Sequence, residues 1–550
     1  MKTLTVLLSL CILGCSDRQR SGSTGEPGGT LVISTTADPG TLFPPLIYLT
    51  QGKQIAEQLY DYLADVGPEM NTRGDSGFRR QLADGWRWSA DSLSIAFHIN
   101  PRARWHDGQR VTAHDVQFTF ALNKNPALGG GALSELANID SVSATDSLTP
   151  VFWFRERSPT QFLDAAAQML ILPAHQLEGI AVTRLREISP PPIGSGRFRL
   201  RRWDKGSSVE IVADSANYRG RARLDRVIWT ISPDFSAAVT KLFSGEADLF
   251  DALRVENVRE AARHPNLRVV TIPGTDYNFL HFNLRDPKDT ARPHPLFGDR
   301  NLRRAIAMSV DRAKLVKNVL DTLGLVGIGP TVRAFPTTDD HNIPQIAFDT
   351  ARAAHILDSL GWVRPRPATV RMRNGRVLAF DLLVPTSSLT RVRMGVLLQS
   401  QLHDAGIQVN INQMDMRAFA DRQTARRFDA ELAGFHFGAS PDGTRQTWTS
   451  AGVGKDGANY GSYENPLFDA QLDSALRADA ASARAKFTTA FTTINEDAPA
   501  VWLYEPRTSI GVARRIRTGW MRADAWWADL GDWYIPPPER IPRDWKLIRR

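Results

Sequence analysis

The chain has 550 residues, a formal net charge of +8, 42% hydrophobic residues and two cysteines, Cys11 and Cys15. That is the composition of a globular protein with several core-forming units, whose stability must come from those cores rather than from disulfides. Basic residues gather at Arg514, Arg515 and Arg517 and again at Arg549 and Arg550. They lack the aromatic interleaving and long basic blocks of a nucleic-acid groove, so nucleic acid is a poor partner, and solubility or a nearby anionic lipid surface accounts better for the charge.

The first element is an apolar run, Leu4 to Gly14, about eleven residues where a membrane span needs roughly twenty. With Lys2 before it and Gly14 just ahead of Cys15, the run has the layout of a secretory signal peptide over residues 1–14. Ile12-Leu13-Gly14-Cys15 resembles the bacterial lipobox, which implies lipidation of Cys15 by diacylglycerol and palmitate-type chains and a tethered, extracytoplasmic protein. The alternative is an ordinary cleaved leader in which Cys15 is incidental. Residues 15–27 are Ser, Gly, Pro and charge, a composition that cannot bury enough surface to order itself and reads as a flexible tether.

Folded chain begins near Thr30. Thr30 to Thr36 is a β-branched strand run, closed by the turn residues Asp38-Pro39-Gly40; Ile55 to Leu63 has helical spacing; Trp86 to Trp88 and Ser94 to Ile99 read as strands joined at Asp91-Ser92. Thr112 to Leu122 is a predicted helix with Thr112 as N-cap and Asp115 three residues on, placed to reach back to free amides. Strands follow at Val209 to Ala213 and Val227 to Ile231, then a helix from Ser236 to Phe243 stopped by Gly245. Further on come strand Phe279 to Asn283, helices Arg300 to Leu320 and Thr350 to Leu360, strand Phe380 to Val384, helix Leu389 to Ala405 and strand Gln408 to Ile411. The alternation implies α/β units in which helices cover strands.

Several stretches resemble the bacterial extracellular solute-binding proteins of ABC importers, the family of dipeptide-, oligopeptide- and nickel-binding proteins. They are Gly28 to Val32 with Asp38 to Leu42, Leu82-Ala83-Asp84-Gly85-Trp86, Trp105-His106-Asp107-Gly108, Val111 to Val116, Gly194 to Phe198, Leu242 to Asp248, Phe282-Asn283 and Asp299 to Ile306. Each is loose alone; their order carries the likeness. The resemblance implies a two-lobed α/β clamp of the type II periplasmic-binding-protein class. A discontinuous first lobe (28–50, 185–272 and 507–545) would carry an inserted subdomain (51–184), with a second lobe over 273–506. It also implies ligand between the lobes, a permease partner in the membrane, a monomer, no cofactor and no chemistry of its own; the alternatives are a surface receptor subunit or a hydrolase built on the same clamp.

In peptide-binding members of the family an aspartate in a Trp-rich loop pairs with the ligand's ammonium group. The nearest matching position here is Gly438, with Asp442 four residues later, so either Asp442 substitutes or the cleft takes a ligand without an ammonium. Phe435, His436 and Phe437 would line an aromatic wall, or equally a packed core. Arg391 and Arg393 are placed to fork a carboxylate, or to face solvent. The resemblance further implies ligand-side positions at Asp38, Thr41, Asn459 and Tyr460, and a hinge crossover at Asn283. His98, His106 and His114, eight residues apart, do not have the tight spacing of a zinc site, and Asp107-Gly108 reads as a turn over Trp105. Asp339-Asp340 reads as a solvated loop, and no nucleophile elbow or phosphate loop is present.

Overall fold

The structure, a computed structural model, describes residues 26–130, 133–188, 190–338, 342–365, 369–454 and 457–545. The leader, Cys15, most of the tether and Asp339-Asp340 lie outside the described residues. Among those residues no helix is long and apolar enough to cross a membrane.

One long strand, Ala500–Ala513, ties the molecule together. Its first half pairs antiparallel with Asp276–Phe282, which pairs in turn with Ala430–His436, and Ala379–Pro385 and Gln408–Met414 extend that sheet in parallel. Its second half pairs with Leu267–Pro273 and with Leu249–Phe250, beyond which lie the parallel strands Thr30–Thr35 and Arg226–Ile231. Two lobes thus share one continuous hydrogen-bonded sheet. The joint falls between Pro273 and Asp276 on one side and at Glu505–Arg507 on the other. Gly274 sits there because a Cβ would lie 2.1 Å from the Pro506 carbonyl oxygen, and Pro506 itself has no amide to give the ladder. Asn283 is at the far end of strand Asp276–Phe282, so it does not mark the crossover; its amide group instead caps the carbonyls of Arg426 and Phe428.

Strand periodicity decides which core each side chain joins. In Asp276–Phe282, Tyr277 and Phe279 enter a cluster with Trp448, Phe487 and Trp502, while Leu280 and Phe282 enter a second cluster with Phe380, Met394 and Leu398. The first lobe has a different plan. Segment 64–154 builds a four-stranded antiparallel sheet of its own (Ala83–Trp88, Ser94–Ile99, Thr149–Phe154, Ile139–Asp146), yet its Phe97 and Phe152 belong to the same apolar cluster as Leu31, Trp229 and Trp533. Segment 64–154 and the first-lobe sheet therefore share one core.

Local signals account for most element ends. Thr112 donates both its amide and its hydroxyl to Asp115 Oδ2 (2.8 and 3.0 Å), fixing the start of helix Ala113–Asn123. Gly108, at φ +93°, closes the turn onto Trp105, which is buried. The expected helix over 300–320 is two helices, Arg300–Met308 and Arg312–Val319, because Asp311 caps the amide of Lys314 and starts a second one. The first helix spans Thr50–Leu59, earlier than its apolar spacing suggests.

Candidate functional site at the strand ends

Parallel strands present ligands with their carboxyl ends, where loops are free and helices begin. Each lobe has one such edge. In the first lobe it carries the segment after Thr35; in the second it carries the residues after Pro385, Met414 and His436.

On the first-lobe edge Asp38 organises the loop. Its Oδ2 accepts from the Gly206 amide (2.7 Å) and the Trp203 indole (3.2 Å), and its Oδ1 from the Gly40 amide (3.0 Å). Partial burial pushes this carboxyl up, but those donors outweigh it and hold the group below the usual carboxylate range. Thr41 Oγ1 accepts the Phe43 amide at 3.1 Å. Tyr48, on the same segment and 81% exposed, is an aromatic surface that sequence pattern did not single out.

On the second-lobe edge Ser388 caps helix Leu389–Asp404, and Arg391 emerges in its first turn. Its Nη2 donates to Asn278 Oδ1 at 3.1 Å, and it also bonds the Tyr504 hydroxyl, which burial pushes up to about 12 while the guanidinium pulls the other way. Arg391 Nε is buried without a protein partner, so the guanidinium keeps an unused donor. At Gly434 a Cβ would lie 2.5 Å from Asn278 Oδ1 and 2.8 Å from Arg391 Nη2, so any side chain there would displace this pair. Arg393 points to solvent.

The expected aromatic wall divides into three environments. Phe435 is half-buried and packs between Phe279 (5.4 Å between ring centroids) and Tyr460 (6.4 Å), itself half-buried. His436 is exposed, with Nδ1 2.9 Å from Asp276 Oδ1. Phe437 is core, 4% exposed against Phe335, because the chain turns inward after the strand ends. Asn459 is also withdrawn from solvent: it is 0% exposed, its amide nitrogen donates to the carbonyls of Thr449 and Tyr463, and its oxygen accepts the Tyr463 amide. Asp442 is exposed and accepts from Ser440 Oγ at 2.6 Å, with its charge acting on Arg73 and Asp164 of the inserted segment. Asp276 and Asn278, which join this edge through His436 and Arg391, carry no motif that would have exposed them in sequence.

The histidines are each engaged separately: His98 with Asp84 (2.6 Å), His106 with the Gly196 carbonyl (3.0 Å), His114 with Glu178 (3.0 Å). Among the described residues no three potential metal ligands converge. A cavity of about 460 Å³ lies at the opposite, amino-terminal edge of the first-lobe sheet, lined by Leu242, Phe243, Arg514 and Arg543; buried Asp248 there neutralises Arg515 and Arg543.

The sequence profile of the bacterial extracellular solute-binding proteins, family 5 (middle), matches residues 77–457. The chain belongs to this family. It is 25% identical to the oligopeptide-binding protein AppA of Bacillus subtilis, over 94% of each chain, and 24% identical to the di/tripeptide-binding protein 4 of Pseudomonas aeruginosa, over 92% of this chain and 93% of that one. Among solved structures it is similar to Bacillus subtilis AppA in complex with a nonapeptide (TM-score 0.72, 23% identity, 93% of this chain and 99% of that one). It is also similar to Campylobacter jejuni NikZ in complex with Ni(L-His) (TM-score 0.74, 22% identity, 92% and 100%). The fold of this family member is accordingly the type II two-lobed α/β clamp.

Proposed function

We propose that this protein is the lipid-anchored, extracytoplasmic solute-binding component of an ABC importer that captures peptides between its lobes and hands them to a membrane permease. The observation that carries the reading is the pair of carboxyl edges on two lobes joined through a narrow strand hinge, a geometry in which ligand contacts to both edges turn binding energy into lobe closure. Curated relatives named as peptide binders over nearly the whole chain favour peptide as cargo. The lobes in this reading are 28–50, 185–272 and 507–545 for the first, 51–184 for its insertion and 273–506 for the second.

Arg391, with its unused donor, is the group to hold a carboxylate; Phe435 and Tyr460 give an apolar surface for side chains, and Asp442 is the carboxylate available for an ammonium group. Asp38 and Thr41 shape the facing loop. A thermal-shift screen of the full chain with di- to nonapeptides, sugars and nickel-histidine tests the cargo, because a ligand at a hundred times its dissociation constant adds about 2.7 kcal/mol to stability. A shift with peptides alone supports the reading; silence from every peptide with a shift from another class overturns the peptide assignment. For the anchor, Cys15→Ser moves the protein from the detergent phase to the aqueous phase, and equal partitioning of both forms removes lipidation.

A further inference from the structure

The segment between strands Ala64–Val66 and Phe78–Arg80 of the insertion leaves its own lobe and enters the other one. Its base is fixed at home: Gly67 donates to the Gly77 carbonyl (2.8 Å), Gly74 to the Pro159 carbonyl (2.9 Å), and Asp75 Oδ2 accepts the indoles of Trp86 (2.9 Å) and Trp88 (3.1 Å). Its tip is elsewhere. Met70, 3% exposed, is a member of the second-lobe core with Phe437, Trp448 and Phe487. Thr72 Oγ1 donates to the Ala439 carbonyl at 2.8 Å. Arg73, 2% exposed, donates through Nη1 to the carbonyls of Leu476 (3.3 Å) and Ala478 (2.5 Å) and lies 5.3 Å from the Phe487 ring centroid.

The receiving socket suits a cation. Leu476 ends helix Pro466–Leu476, whose last carbonyls are the negative end of its dipole, and Asp479 caps the next helix. The charges of Asp442 and Asp479 both act on Arg73. The fit is nevertheless incomplete. Arg73 Nε and Nη2 are buried without partners, a cost in free energy that a permanent joint would have removed. Met70 holds φ +50°, a left-handed conformation that a side chain adopts at a cost and keeps only while its surroundings enforce it. Both features describe a contact that can be made and released.

We infer that residues 67–77 are a closure latch: the insertion reaches across the cleft and grips loop 437–443 and the junction of helices Pro466–Leu476 and Ala480–Asp497, with Arg73 as the positioning residue that holds the lobes closed. Ala439, gripped by Thr72, belongs to the same loop as Asp442, so a solute that orders this loop favours the latched state, and the latched state preorganises the loop for solute. This coupling rests on the solute-binding reading above; the latch itself does not.

The test is a distance measurement between the lobes of the solute-free full chain. Spin labels at Ala144→Cys in the insertion and Ala485→Cys on helix Ala480–Asp497, both exposed, are read by pulsed electron resonance after Cys11→Ser and Cys15→Ser remove the native thiols. Arg73→Ala shifts the distribution to longer separations, and Arg73→Lys, which keeps the charge and a donor, restores part of the short population. Thr72→Val, which keeps the shape and removes only the hydroxyl donor, shifts it the same way by a smaller amount. An unchanged distribution in folded Arg73→Ala overturns the latch; should that variant fail to fold, an unchanged distribution in Thr72→Val does so. Either outcome is independent of what the cleft binds, since no solute is present.

Discussion

Segment 51–184 touches the rest of the molecule along two seams of opposite character. Towards the first lobe, Asp61 is fully buried and receives Arg219, Ser195 Oγ (3.0 Å) and the Tyr218 hydroxyl (3.0 Å). Nearby, Arg522 is shared among Asp65 (3.1 Å), Asp524 (2.5 Å) and the Val66 carbonyl. Among the described residues neither Asp61, Arg219 nor Arg522 leaves a buried side-chain nitrogen or oxygen unpaired. Towards the second lobe the buried cation is Arg73, and two of its nitrogens are unpaired. A fully satisfied buried ionic network is costly to interrupt and fastens two parts permanently, whereas a half-satisfied one holds weakly and lets go. Segment 51–184 is thus joined to the first lobe through paired charges and to the second through a cation with unpaired nitrogens.

The contrast between the seams can be broken by graded substitutions. Asp61→Ala strands the buried Ser195 and Tyr218 hydroxyls and takes away the partner of Arg219, and should cost about 3–5 kcal/mol of stability, read from the urea midpoint; a loss under about 1 kcal/mol would erase the distinction between the seams. Arg522→Ala should cost about 2–3 kcal/mol by the same measurement, less because Asp65 and Asp524 are closer to solvent. Arg73→Ala should cost only about 1 kcal/mol, since two lost hydrogen bonds are offset by relief of two unpaired donors; a larger loss would make the second seam structural.

The smallest effect has the opposite sign. Burial, and then the charges of Asp442 and Glu135, push the Asp164 carboxyl well above its usual range. A carboxyl whose folded pKa exceeds its unfolded value favours the protonated folded state, so stability is greatest below the unfolded value and falls as pH rises through the window up to the raised pKa. Asp164→Asn removes that loss. The variant should gain about 1 kcal/mol at neutral pH, with the gain shrinking towards about pH 4, as thermal midpoints across that range will register.

Much of the fold was legible in the order of residues. Thr112 and Asp115 announced a helix start, Asp91-Ser92 a turn and Val227 to Ile231 a strand, and all appear so. The break at Asp311 was legible too, as an N-cap aspartate inside an apolar-periodic run, but periodicity alone overrode it. At the candidate site, Arg391 lies in the first turn of its helix and Phe435 near the end of its strand, while Asn459 is spent on backbone carbonyls and Phe437 on the core. Polar or aromatic identity says that a side chain can bind something; only its neighbours say whether it already has.

The sequence by itself determined the α/β elements and their order, because caps, turns and periods of 2 and 3.6 act over a few residues and leave a local trace; the clamp was implied by resemblance to the family alone. Tertiary structure alone decided the shared core of insertion and first lobe, the hinge at Gly274 and Pro506, and the grip of Thr72 on Ala439, 367 residues away. Such contacts depend on where two distant surfaces come to rest, and nothing in the chemistry of either short stretch names the other.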